Sequence, residues 1–330
     1  MLHNIIDPAI LFFVFGVLAG AVRSNLEVPP AIAKFFSLYL LMALGLKGGA
    51  SLAAGGLSMQ ALLALGAALF MAALVPALAF LTLHRRINPY DAAAVAATYG
   101  SVSAVTFIAA QQYLTQQGLS FGGHMTVAMV LMESPAIVMA VLLASWVRSR
   151  DAARPAAGAG EEPLPALSIR RVLHEAFTDG AHLLLIAALL IGWVTGERGA
   201  AMMQPFTIDI FKGVLAFFLL EMGLLVARQL RDSQARLSRD LVAFGLLAPM
   251  FNAALALALA YALGMGRGDA VLLAVLSASA SYIVVPAIVR YAIPEARAGV
   301  YFTMSLGMTF PFNILLGIPL YVAVSGWFWP

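Results

Sequence analysis

The 330-residue chain contains no cysteine, so it has neither a disulfide framework nor a thiolate metal site. Charge is scarce as well: Asp, Glu, Lys and Arg make up 11% of the residues, against about 25% in a soluble globular domain. No HExxH, no GxSxG and no cluster of His or Asp occurs within the apolar runs, so no hydrolytic nucleophile or metal centre of an enzyme is visible. Lys and Arg are absent before the first apolar run, which therefore lacks the positive flank of a cleaved signal peptide and is retained as a span. The net charge of +3 is too small to indicate a nucleic-acid partner.

What remains is 62% hydrophobic and broken into runs near the ~20 residues that a membrane-spanning helix needs. The pattern predicts an all-α integral membrane protein with ten spans, at about 8–22, 30–46, 60–82, 91–114, 124–147, 180–196, 206–227, 241–264, 270–291 and 299–325. The second five repeat the first. Gly16-x-x-x-Gly20 falls on Gly192-x-x-x-Gly196, Lys34 and Gly45 on Lys212 and Gly223, and Met132-x-x-Pro135 on Met308-x-x-Pro311, all at shifts of 176–178 residues. Five is odd, so the second copy enters the membrane from the opposite side, which is the inverted repeat of many transporters. The expected units are 1–148, a cytoplasmic linker and amphipathic segment at 149–179, and 180–330. With both termini outside, fourteen of the nineteen Lys and Arg lie on the inner side and three, Lys47, Arg198 and Arg267, on the outer. The protein is accordingly expected in the inner (plasma) membrane among lipid. Within the linker, 149–166 reads as flexible, and 168–177 presents a basic face suited to the inner interface or to a soluble partner.

Two spans lose their apolar character midway. In 91–113 the interruption is Tyr99-Gly100-Ser101-Val102-Ser103; in 269–291 it is 277–286, SASASYIVVP. A shift of 178 carries Asp91 onto Asp269, Ser101 onto Ser279 and Ser103 onto Ser281. Exposed backbone at bilayer depth is tolerated only inside protein or beside a polar cavity, and paired broken helices mark a transporter's substrate site. A helix restarting there presents unpaired N–H groups and a positive dipole end, which suit an anion. Ser103 is a good cap for the first restart, and Pro286 fits the first turn of the second. The candidate substrate site is Gly100, Ser101, Ser103, Thr106, Ser279, Ser281 and Tyr282. A lone serine in a membrane helix often serves only close packing; the doubled, aligned Ser-x-Ser pairs favour a site. Glu133 in span five and Glu221 in span seven are acids within spans, costly to bury and so functional by default. Glu133, Ser101 and Ser281 are the candidate ion-coupling residues. Asp91 and Asp269 read as first-turn charges that favour the helix dipole, and Lys34 and Lys212 as side chains that snorkel to the interface.

The segments VPPAIAKFFSLYLLMALGLKGG (28–49), GSVSAVTFIAAQQYL (100–114), MESPAIV (132–138), EMGLLVARQL (221–230) and SASASYIVVPAIVRYAIPEA (277–296) resemble the sodium-dependent bicarbonate transporter family of the cyanobacterial type. The resemblance implies a core of spans three to five and eight to ten moving like an elevator against a gate of spans one, two, six and seven. It also implies a homotrimer, Na⁺-coupled uptake of bicarbonate and, in some members, a soluble PII-type regulator on the inner face. The sequence departs from the family at the second crossing, where the pattern Ser-Ser-Ser-Asp-Ile-Ser-Gly-Pro is replaced by Ser279-Ala280-Ser281-Tyr282-Ile283-Val284-Val285-Pro286. Tyr282 stands where a carboxylate able to bind Na⁺ would be. The expectation is therefore a small-anion carrier, for bicarbonate or a related small carboxylate, coupled to Na⁺ or H⁺, with no cofactor beyond a possible Na⁺. A channel, or a carrier of another solute, on the same fold is the alternative.

Overall fold

A computed structural model of the chain describes residues 7–56, 58–152, 178–232 and 237–329. The expected linker and amphipathic segment, apart from its ends, lies outside the described residues. Among these residues every regular element is helical, as lipid demands of backbone that must satisfy its own hydrogen bonds. The helices are α1 (Pro8–Ala21), α2 (Pro30–Gly55), α3 (Met59–Leu83), α4 (Pro89–Gly100), α5 (Ala104–Gln116), α6 (His124–Ala152), α7 (Gly180–Met202), α8 (Phe211–Asp232), α9 (Arg239–Ala262), α10 (Arg267–Ala278), α11 (Val284–Ala292) and α12 (Ala298–Ser325). Two wider-wound stretches, Thr303–Thr309 and Asn313–Gly317, run within α12.

Short polar side chains start several of these helices by accepting from the first free N–H groups. Asp7 accepts from Ala9 N, Ser58 from Ala61 N, Asn88 from Tyr90 N, Asp179 from Ala181 N and His182 N, and Ser238 from Leu241 N. Among the described residues eight helices, taking α4 and α5 as one, are long and apolar enough to cross a membrane. The apolar α1 has only 14 residues, and α10 and α11 are separated by 279–283.

The helices sort into two packed groups. In the first, α2 lies along α7, α1 along α8, and α2 also touches α8. Glycine makes these approaches possible: a Cβ on Gly16 would meet Leu220 O at 2.2 Å, one on Gly223 would meet Phe13 O at 2.2 Å, and one on Gly49 would meet Leu189 O at 2.0 Å. Lipid tails are as apolar as leucine, so close van der Waals contact of this kind drives helix pairing in a membrane. The second group holds α3 to α6 and α9 to α12. At its centre, Ala92–Ala97 of α4 and Ala270–Leu276 of α10 are buried on every side, as all-round apolar helices should be.

Two acids tie this second group together. Asp91, in the first turn of α4, accepts from Arg297 N at 2.8 Å and from Arg297 Nε and Nη2 at 2.9 and 2.7 Å. Asp269, in the first turn of α10, accepts from Gly122 N at 2.7 Å and has His124 Nε2 at 3.2 Å. Both sit at helix starts as expected, and each also grips the start of another span, α12 or α6. Lys34 and Lys212 are exposed, in keeping with snorkelling.

Candidate functional site

Gly100 ends α4 because the next residues leave helical geometry: Ser101 is extended (φ −96°, ψ 175°) and Ser103 caps α5 at φ −106°, ψ 107°. A side chain in place of Gly100 would also collide with Pro76, whose ring lies 2.7 Å from a built Cβ. Past Ala278 the chain is again extended at Ser279 (φ −82°, ψ 167°), and α11 restarts at Val284. Pro286 falls in the first turn of α11, where its missing N–H costs nothing.

The two interruptions are stitched to each other. Ser103 N donates to Ser279 Oγ at 3.0 Å, and Ser281 N donates to Thr98 O at 2.8 Å. Ser279 Oγ donates in turn to Leu276 O at 2.9 Å. The end of α10 is closed by Asn313, whose Nδ2 donates to Ala278 O at 2.9 Å and whose Oδ1 accepts from Tyr321 OH at 2.9 Å. These bonds satisfy backbone that neither water nor a helix could serve at that depth. At the restart of α5, Ser103 Oγ accepts from Thr106 N at 3.2 Å and from Thr106 Oγ1 at 2.9 Å. The next helical bond, Phe107 N to Ser103 O, leaves the N–H groups of Ala104 and Val105 without intrahelical partners.

A cavity of about 70 Å³ lies where the crossing meets the first helix group. A water needs roughly 10–15 Å³ of such space, so it holds a few waters or one small ion. Val102–Val105 and Ser281–Ile283 form one wall, Leu40, Leu41 and Phe218 another, and Glu133 and His182 meet across it. His182 Nδ1 and Glu133 Oε2 are 2.5 Å apart. Both side chains are buried, at 6% and 11% exposure, so each compensates a charge that would otherwise be isolated from water.

Of the residues expected from sequence, Ser103, Ser281, Tyr282 and Glu133 line this cavity. Gly100, Ser101, Thr106 and Ser279 are buried behind its wall. The Ser101 hydroxyl is buried with no protein partner, as is that of Ser277; oxygen donors of this kind suit a small hard cation such as Na⁺. The Tyr282 ring packs edge-on against Phe310 at 5.2 Å, and its buried hydroxyl lies beside Ser103 without a hydrogen bond of normal geometry. Glu221 is buried in α8 and does not line the cavity; one of its oxygens has no hydrogen-bond partner. Among the described residues no group of three or more His, Asp or Glu is placed to hold a metal.

His182 was not foreseen. In sequence it is a lone histidine beside a capping aspartate, and its partner stands 49 residues away. Only the tertiary fold brings the two side chains together.

Many apolar spans around a pair of stitched, interrupted helices define a multi-pass membrane protein of transporter type. A family model described as the Na⁺-dependent bicarbonate transporter superfamily matches residues 8–325, nearly the whole chain. The chain belongs to that superfamily. No curated protein matches it.

Proposed function

We propose that this chain is a ten-span secondary transporter of a small anion, bicarbonate or a related small carboxylate, coupled to Na⁺ or H⁺. The observation that carries the reading is the crossing itself: two broken helices stitched through Ser103–Ser279 and Ser281–Thr98 beside a cavity of ionic size. Ala104 and Val105 at the start of α5 line that cavity, and a helix start with unpaired N–H groups favours an anion. Ser103 and Ser281 contribute hydroxyls, and Ser101 an oxygen for Na⁺. The ten spans are the eight long ones together with α1 and the interrupted α10–α11.

An inverted 5+5 repeat accounts for the pairing of contacts. A shift of 176–178 exchanges Gly16 with Gly192 and Gly45 with Gly223. Gly16 rests on Gly223, while Gly192 rests on Leu46, next to Gly45. The same operation exchanges the Asp91 grip on Arg297 with the Asp269 grip on Gly122. The α3–α6 and α9–α12 group would carry the ligand as an elevator against α1, α2, α7 and α8. Both termini face outward in the plasma membrane. A homotrimer and a PII-type regulator on the inner face remain part of the proposal through the family resemblance alone.

Purified protein in liposomes, given labelled bicarbonate with and without an inward Na⁺ or H⁺ gradient and with competing mono- and dicarboxylates, tests this directly. Saturable, gradient-driven accumulation is expected. Flux that follows only the anion's own gradient would mean a channel.

A further inference from the structure

Among the described residues the ion pairs differ in which helix groups they join. Arg86–Asp240, His124–Asp269, Arg148–Glu295 and Arg297–Asp91 each lie within the group of crossing helices. Glu133–His182 instead joins α6 of that group to α7 of the other. If the groups slide past each other, this buried pair must part in every cycle, whereas the other four travel intact.

Parting a buried pair is governed by its charge. With one proton between them, carboxylate and imidazole are neutral overall; a second proton leaves a buried positive charge and loss of the first a buried negative one. From α2, the crossing and α8 the cavity wall contributes Ser37, Ser103, Ser281 and apolar side chains, with the Tyr282 phenol as a further titratable group. Asp179, the cap of α7, is a further charge near the imidazole.

We propose that Glu133 and His182 form a proton-binding latch. It holds the two helix groups together while it carries one proton and releases them when it gains a second or gives up the first. The proposal rests on the two-body motion put forward above. Because only the singly protonated pair is neutral, engagement is greatest at intermediate pH and falls on both sides. The variants separate the limbs. Glu133→Gln leaves an imidazole that is uncharged at high pH, so its latch holds toward alkali and opens toward acid. His182→Gln leaves a carboxyl that is neutral at low pH, so its latch holds toward acid and opens toward alkali.

The absence of native cysteine makes the measurement direct. Spin labels at Leu142→Cys on α6 and Leu190→Cys on α7, both about half exposed, report the separation of the groups by pulsed electron resonance in lipid nanodiscs without substrate. The distance population of the engaged form is expected to peak at intermediate pH, to run in opposite directions in the two single variants, and to lose its pH dependence in the double variant. A distribution that is pH-invariant in the otherwise unsubstituted protein, or one that changes identically in both variants, overturns the latch. Because no substrate is present, that failure is independent of the transport reading, which the liposome assay tests.

Discussion

Ser103 serves the crossing in three ways: its N–H donates to Ser279, and its hydroxyl accepts from both the N–H and the hydroxyl of Thr106. Ser103→Ala is therefore expected to cost about 0.5–2 kcal/mol as a lost cap, and Ser103→Leu or Ser281→Leu to abolish uptake by filling the cavity. Size-exclusion profiles of the purified variants would establish that they still insert and fold; near-normal uptake by both leucine variants would reduce these serines to packing. Ser101 differs, since its buried hydroxyl has no protein partner. Ser101→Ala should leave stability nearly unchanged while raising the Na⁺ concentration needed for half-maximal uptake. An unaltered Na⁺ response would remove Ser101 from the ion site. In sequence the four serines of the two Ser-x-Ser pairs, Ser101, Ser103, Ser279 and Ser281, look alike. The cavity separates them, with Ser103 and Ser281 in its lining and Ser101 and Ser279 behind it, because which face of an extended segment turns inward is settled by the helices packed around it.

At the scale of elements, glycine sets the distance between helices. A Cβ on Gly49 would lie 2.0 Å from Leu189 O, while one on Gly66 of α3 meets nothing within 4 Å. Gly49→Ala should lower stability by about 1–3 kcal/mol or more, the usual cost of overpacking. Gly66→Ala should be neutral or slightly stabilising, since alanine is the better helix former. Thermal unfolding in detergent compares them, and equal melting points would refute the contrast. A second element-scale contact joins the end of α6 to the loop between α11 and α12, where Arg148 makes two hydrogen bonds to Glu295 and a third to Ala292 O. Burial alone would raise the Glu295 pKa, but the Arg148 hydrogen bonds and charge outweigh it and hold the carboxyl below its ordinary range. A depressed carboxyl adds stability above its unfolded pKa and loses it as pH falls through the folded value. Acidification should thus destabilise the parent protein by a term that Glu295→Gln lacks, visible as a flatter melting-temperature profile in the acid range.

For the whole molecule the testable quantity is orientation. Fourteen of nineteen cationic residues fall on one side if both termini are outside. Cysteine at exposed Ser58 should then react with an impermeant thiol reagent added to intact cells, and cysteine at exposed Ser149 should not. Labelling of position 149 alone would invert the topology. The apolar runs also foretold the long helices, since lipid leaves the backbone few other solutions. The residues that end those helices at Gly100 and Ala278 were legible for the same reason, as hydroxylic and small residues at bilayer depth.

Helix content, the positions of the two interruptions and the capping role of Ser103 were determined by the sequence itself. Each depends on residues within a few positions of one another, through hydrophobic run length and the hydrogen bonds open to a helix end. Tertiary structure alone decided which polar groups meet. Ser103 reaches Ser279 across 176 residues, Arg297 closes on Asp91 across 206, and His182 is set against Glu133 on a helix of the other group. A buried charge or N–H takes whatever partner packing brings within reach. That partner is a property of the assembled helices, with no local signal along the chain.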